Sequence, residues 1–120
     1  DAMLAPGAHI NGIGSYQPSM REVPWETVSR ARLVVDAREA ALHEAGDVVI
    51  PLQEGLIGPE HIYAELGEIV LGTRPGRAGF EPGEISFFKS VGNAAQDVAI
   101  AAHIYQKARA AGIGTEVEMF

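Results

Sequence analysis

The chain has no cysteine. Disulfides, thiolate nucleophiles and Cys-ligated zinc are therefore excluded, and a cysteine-free acidic chain fits the cytoplasm. Positive charge is scarce. Nine Lys and Arg stand against 16 Asp and Glu, a formal net charge of -7. That balance lacks the basic face a nucleic-acid module needs, and it opposes docking on anionic membranes. No apolar run approaches the ~20 residues of a spanning helix. The opening residues, Asp1 to Pro6, have no basic segment leading into an apolar core, so no signal peptide is expected. Internal repeats, low-complexity tracts and the full Gly-x-Gly-x-x-Gly fingerprint are also missing. What remains is 120 residues, 47% hydrophobic and 21% charged, enough for one modest globular domain.

Short apolar runs alternate with helical patterns. Residues 8–14 read as a buried strand entering a Gly-rich loop, and Leu33 to Asp36 as a second strand. Between them Pro24 opens a short helix over 24–31. Arg38 to Ala45 is rich in helix formers, with Gly46 as a natural stop. Asp47 to Ile50 reads as a very short third apolar strand, and 51–59 as a loop. Pro59 then predicts a helix start, with Ile62, Leu66, Ile69 and Val70 as its stripe and Gly72 as its end. Gly67 inside it costs about 1 kcal/mol against Ala, excused if it packs closely on a sheet. After a polar loop over 73–84, residues 85–88 read as a strand and 93–111 as the strongest helix, ended by Gly112. The tail from Thr115 to Phe120 alternates like a half-exposed strand. This order predicts an α/β sheet.

In open α/β sheets ligands bind beyond the carboxyl ends of the strands. Gly12 to Pro18 and Lys89 to Asn93 lie at such ends, where glycines admit a flat ring and a Ser hydroxyl or amide can hold a carboxamide or carboxylate. Plain strand-to-helix turns are the simpler alternative. His9 reads as a core or strand-edge residue, and His43 and His103 have no partner at ligand spacing. His61 and Glu65 share a predicted helix face as half a metal site or, more simply, a solvated pair. Trp25 and Tyr105 read as packing residues. Arg74 and Arg77 are loop arginines able to meet phosphate. No metal is expected.

Four segments together resemble the ornithine cyclodeaminase/mu-crystallin family. They are Gly7 to Glu22 (GAHINGIGSYQPSMRE), Val35 to Ala41, Ala64 to Ile69, and Phe88 to Gly92 with Gln96-Asp97. The resemblance implies a fold: the C-terminal half of a Rossmann-like NAD(P)-binding domain over 1–92. Residues 93–120 would form a long helix and terminal strand that return to an N-terminal substrate and dimerisation domain. It also implies NAD or NADP as cofactor, a small amino or imino acid as substrate, and a homodimer. Ile13, Gly14, Ser15 and Tyr16 would border the nicotinamide, Ser90 would contact the cofactor and Val91 the substrate. The family's chemistry includes imine reduction, alanine dehydrogenation and cyclodeamination of ornithine to proline and ammonia; crystallin-like members bind cofactor and ligand without turnover. In cyclodeaminases the position of Tyr16 is an aspartate and that of Met20 a lysine. Tyr16 as the catalytic group therefore points to reductase or dehydrogenase chemistry, because a phenol titrates near ~10 in water. By the same resemblance the chain is a C-terminal portion without the phosphate loop or the substrate-gripping Arg and Lys, and its tail pairs with another chain or frays. The isolated 120-residue chain is expected to turn over neither ornithine nor cyclic imines, as an assay of nicotinamide absorbance with purified material would test.

Overall fold

A computed structural model describes residues 3–118. Four strands form one parallel sheet in the order β1-β4-β2-β3: β1 is His9–Gly12, β2 Arg32–Val35, β3 Ile62–Glu65 and β4 Ser86–Lys89. The helices are α1 (Trp25–Arg30), α2 (Arg38–Glu44), α3 (Gly46–Gln53), α4 (Leu66–Val70) and α5 (Ala94–Ala111). Parallel pairing requires a crossover between successive strands; α4 lies in the connection from β3 to β4, and α1 to α3 supply the first two crossovers on one face. Leu33, Val35 and Phe87 are fully buried there against Val28, Ala41 and Val48. Strand alternation sends Val34 and Phe88 to the opposite face. With His9, Asn11, Leu66 and Ile69 they line a depression of about 420 Å³.

Two expected elements are different in the structure. Asp47 to Ile50, expected as a strand, lies in α3, and Gly46 opens that helix instead of ending α2. A four-residue apolar run has no periodicity to separate strand from buried helix. Here the amides of Val48 and Val49 both donate to the Ala45 carbonyl at 2.8 Å, closing the first turn. The expected helix from Pro59 to Gly72 breaks into a 3-10 turn (Pro59–His61), β3 and the short α4. Ile62 and Ala64 are buried while Tyr63 and Glu65 are half-buried, a period of two that a helical stripe through Ile62 and Leu66 conceals. A reciprocal cap between Glu65 and Glu68 starts α4 at Leu66. His61 and Glu65 thus share no helix face. Gly67 packs on nothing, since a Cβ added there would meet no atom within 4 Å.

Helix α5 matches expectation at both ends. The Asn93 side chain accepts from the Ala95 amide at 2.9 Å, and Gly112 takes φ 65° as the left-handed cap. No residue of α5 is buried, however, and Tyr105 is exposed, not packed. Residues 115–118 form no strand; the rest of the expected tail strand, Met119 and Phe120, lies outside the described residues.

The two helical glycines make opposite predictions. A Cβ on Gly46 would run into the Met20 carbonyl oxygen and stand 2.7 Å from that of Gln17. Gly46→Ala is expected to destabilise the fold by about 1–3 kcal/mol, the usual cost of overpacking. Gly67→Ala is expected to stabilise it by about 0.5–1 kcal/mol. Thermal unfolding of the two variants should shift in opposite directions.

Candidate functional site

Strands β1 and β4 are neighbours, so the two loops that leave their carboxyl ends lie side by side. One backbone bond joins them directly: the Ser90 amide donates to the Gly12 carbonyl at 3.0 Å. Both expected ligand-binding segments therefore converge, and Asp36, at the end of β2, stands beside them.

The first loop is held from below by charge. Lys89 and Asp47 are both completely buried, with Nζ and a carboxylate oxygen 3.4 Å apart. Lys89 also lies 3.4 Å from Glu22. Asp47 accepts from the Ser15 hydroxyl at 2.5 Å and from the amides of Glu22 and Val23 at 2.8 and 2.9 Å. Glu22 accepts in turn from the amides of Gly14 and Ser15 at 2.6 and 3.0 Å. Those two amide bonds, aided by Lys89, hold the Glu22 carboxyl below the ordinary glutamate range despite a smaller opposing effect of burial. A Cβ on Gly14 would meet the Glu22 carboxylate, so a larger residue there would displace the group that holds the loop amides.

The same network decides which loop residues can meet a ligand. Ser15 is 0% exposed and its hydroxyl is committed to Asp47, so its side chain supports the loop from inside. Ile13 and Tyr16 are instead 72% and 55% exposed, and the Tyr16 hydroxyl has no partner among the described residues. Gly14 is half-buried between them.

The second loop is organised by Asp36. One of its carboxylate oxygens accepts from the Ser90 hydroxyl at 2.7 Å and from the amides of Val91 and Gly92 at 3.1 and 3.0 Å. Gly92 has φ 92°, a conformation that side chains disfavour. Ser90 and Val91 are half-buried. Glu65, at the end of β3, is spent on the Arg38 amide at 2.6 Å.

The remaining candidates are occupied locally. His9 lies on the exposed edge strand with Nδ1 2.8 Å from the Ser86 hydroxyl. His61 bonds the Val28 carbonyl at 2.7 Å and His43 the Glu39 carbonyl, also at 2.7 Å. Arg77 donates to Ser86 and to the Gly7 carbonyl, and Arg74 lies over the Tyr63 ring. His103 is exposed on α5. Asp36, Asp47, Glu22 and Lys89 were missed as site residues. Asp36 ends an apolar strand run, the one local signal; Asp47 and Lys89 reach Glu22 across 25 and 67 residues of sequence, and Glu22 itself bonds amides 7 and 8 residues away.

The family model described as the ornithine cyclodeaminase/mu-crystallin family matches residues 1–112. A Delta(1)-pyrroline-2-carboxylate reductase of Bacillus cereus is 43% identical over 117 residues, covering 97% of this chain and 35% of that protein. The structure of the Thermococcus litoralis Delta(1)-pyrroline-2-carboxylate reductase, in complex with NADH and L-proline, superposes with a TM-score of 0.88 and 46% identity, over 95% of this chain and 35% of that one. An archaeal alanine dehydrogenase dimer with bound NAD superposes with a TM-score of 0.84 and 36% identity, over 98% of this chain and 36% of that one. The chain thus spans about a third of the length of the relatives it matches.

The charge network makes a stability prediction. Lys89→Met should cost about 3–5 kcal/mol, because it leaves Asp47 buried without a counter-charge. Glu22 carries the acid limb. Its folded carboxyl lies below its unfolded value, so its stabilisation is complete above about 4.3, the ordinary glutamate value, and fails as pH falls through the depressed one. Glu22→Gln should flatten stability between those two limits, as denaturant midpoints measured against pH would show.

Proposed function

This chain belongs to the ornithine cyclodeaminase/mu-crystallin family, and on that premise we propose that the protein carrying it is an NAD(P)-dependent reductase of small imino acids, with a cyclic imine such as pyrroline-2-carboxylate as substrate. The observation that carries the reading is the paired loop at the β1 and β4 ends. Its backbone is rigidly held, it turns Ile13 and Tyr16 outward, and it sets half-buried Ser90 and Val91 beside them. A flat ring fits this arrangement. Glycine keeps the backbone close, Ile13 offers an apolar wall, and Ser90 offers one polar atom at the rim. Among the described residues no three His, Asp or Glu side chains gather as a metal site requires.

When bound, a reduced nicotinamide supplies the hydride for a C=N bond. The chain's own contribution is positional. Gly14 and Tyr16 fix one side of the ring site, Ser90 and Val91 the other, and the Tyr16 phenol stands free to donate a proton or a hydrogen bond to substrate. An aspartate at position 16, which the family resemblance gives to cyclodeaminases, would suit ammonia release and ring closure; tyrosine favours reduction.

Residues 1–92 serve in this reading as the second half of the nucleotide-binding domain. Residues 93–120 would return to an N-terminal substrate and dimerisation domain of the protein. The exposure of Val98, Ile100, Ile104 and Tyr105 on α5 supports that placement, and the dimeric alanine dehydrogenase supports a homodimer. The absence of cysteine and the acidic charge support a cytoplasmic setting.

The test uses the full-length protein. It should oxidise NADH or NADPH with pyrroline-2-carboxylate and form no proline and ammonia from ornithine and NAD. Tyr16→Phe should lower kcat for the imine by about a hundredfold, the low end of general acid catalysis, while cofactor affinity stays within about threefold. Ornithine turnover lost in Tyr16→Phe would overturn the assignment.

A further inference from the structure

The Ser90 hydroxyl has one proton and two lone pairs. Its proton is directed at Asp36, 2.7 Å away. One lone pair faces the Gly92 amide at 3.2 Å. Asp36 cannot release that proton by turning. Its second oxygen accepts from the Ala37 amide at 2.8 Å, and its own amide is tied to the Lys89 carbonyl at 3.3 Å. The carboxylate therefore meets four donors and no acceptor, a charge-assisted arrangement. What Ser90 presents to the crevice is a single lone pair.

We propose that Asp36 is a positioning residue that makes Ser90 an acceptor-only hydroxyl, so that the site selects a bound molecule offering an N–H donor there. The inference rests on the nicotinamide-binding reading above and deepens it. The donor is the carboxamide NH₂ of the nicotinamide; a protonated imine nitrogen of the substrate carries the same chemistry. Each is an N–H aimed at one oxygen, and a carbonyl or ether in its place would face lone pair against lone pair.

Asp36→Asn is the informative change, because it preserves shape and alters donor count. An amide has one acceptor oxygen and cannot satisfy both the Ala37 amide and the Ser90 loop. With its nitrogen towards Ser90 it donates to the hydroxyl, whose proton then points into the crevice. A residue that merely braced the loop would weaken every ligand alike.

The experiment measures binding of NADH and of its reduced 3-acetylpyridine analogue, which replaces the carboxamide NH₂ by methyl, to the full-length protein without substrate. The unmodified protein should prefer NADH by roughly tenfold, about one hydrogen bond. Ser90→Ala and Asp36→Asn should each bring the two affinities within about threefold, and the double variant should lose no more than either alone. If Asp36→Asn does not fold, Ser90→Ala decides alone. If the preference survives in Ser90→Ala but KM for the imine rises roughly tenfold, the donor is the substrate nitrogen and the acceptor-only assignment stands. Neither change in Ser90→Ala, or equal weakening of both nucleotides in Asp36→Asn, overturns it. A full-length protein that binds no nicotinamide nucleotide overturns the functional reading as well; nucleotide binding with no such selectivity overturns this inference alone.

Discussion

The ion pair between Lys89 and Asp47 is the constraint on which the site depends. Both side chains are fully removed from water. Burying two charges costs several kcal/mol per ion, and attraction alone repays it only with good geometry and further hydrogen bonds. Here the surplus bonding is supplied by the loop itself: the Ser15 hydroxyl and the amides of Glu22 and Val23 complete the Asp47 carboxylate. The sheet, α3 and the 13–23 loop are thereby one unit. Lys89 ends β4, Asp47 lies in the first turn of α3, and the loop cannot leave without stranding a buried charge.

Asp36 performs the matching task on the other loop with no counter-ion among the described residues. It gathers a hydroxyl and three amides, including its neighbour's. Four hydrogen bonds to one ionised group can hold a loop as firmly as an ion pair, because each is strengthened by the charge. The two carboxylates thus fix two adjacent loops by different means, and the Ser90 amide to Gly12 carbonyl bond sets the loops against each other.

Local patterns carried much of the fold. Short apolar runs marked β1, β2 and β4, and an alanine-rich stretch between Asn93 and Gly112 marked α5 to within a residue. The failures lie where two periods fit one segment. Ile62, Leu66 and Ile69 satisfy a helix, yet Ile62 and Ala64 alternate as a strand, and burial on the sheet edge decided for the strand. Asp47 looked like the polar start of a strand because nothing local shows that Met20 and Gln17 carbonyls press on Gly46. At the site, the two loops were legible from glycine content and position. The inward turn of Ser15 was not, since it follows from Asp47 lying 32 residues away.

Rigidity and reactivity are separated in this arrangement. Asp47 and Lys89 are buried and committed to each other and to the loop, Glu22 to two loop amides and Lys89 through one carboxylate oxygen, and Asp36 to its own loop. The groups turned outward are weakly acidic or apolar: Ile13, the Tyr16 phenol, Val91 and one lone pair of Ser90. Such a set can orient a flat ring and its neighbour closely while offering little charge of its own. The imine reduction proposed above suits it, because the electron pair would arrive with the cofactor and the loops would need only to hold two reactants at contact distance. Releasing Asp36 or Glu22 from these bonds would loosen the two loops they hold, so the carboxylates at these strand ends serve the backbone first.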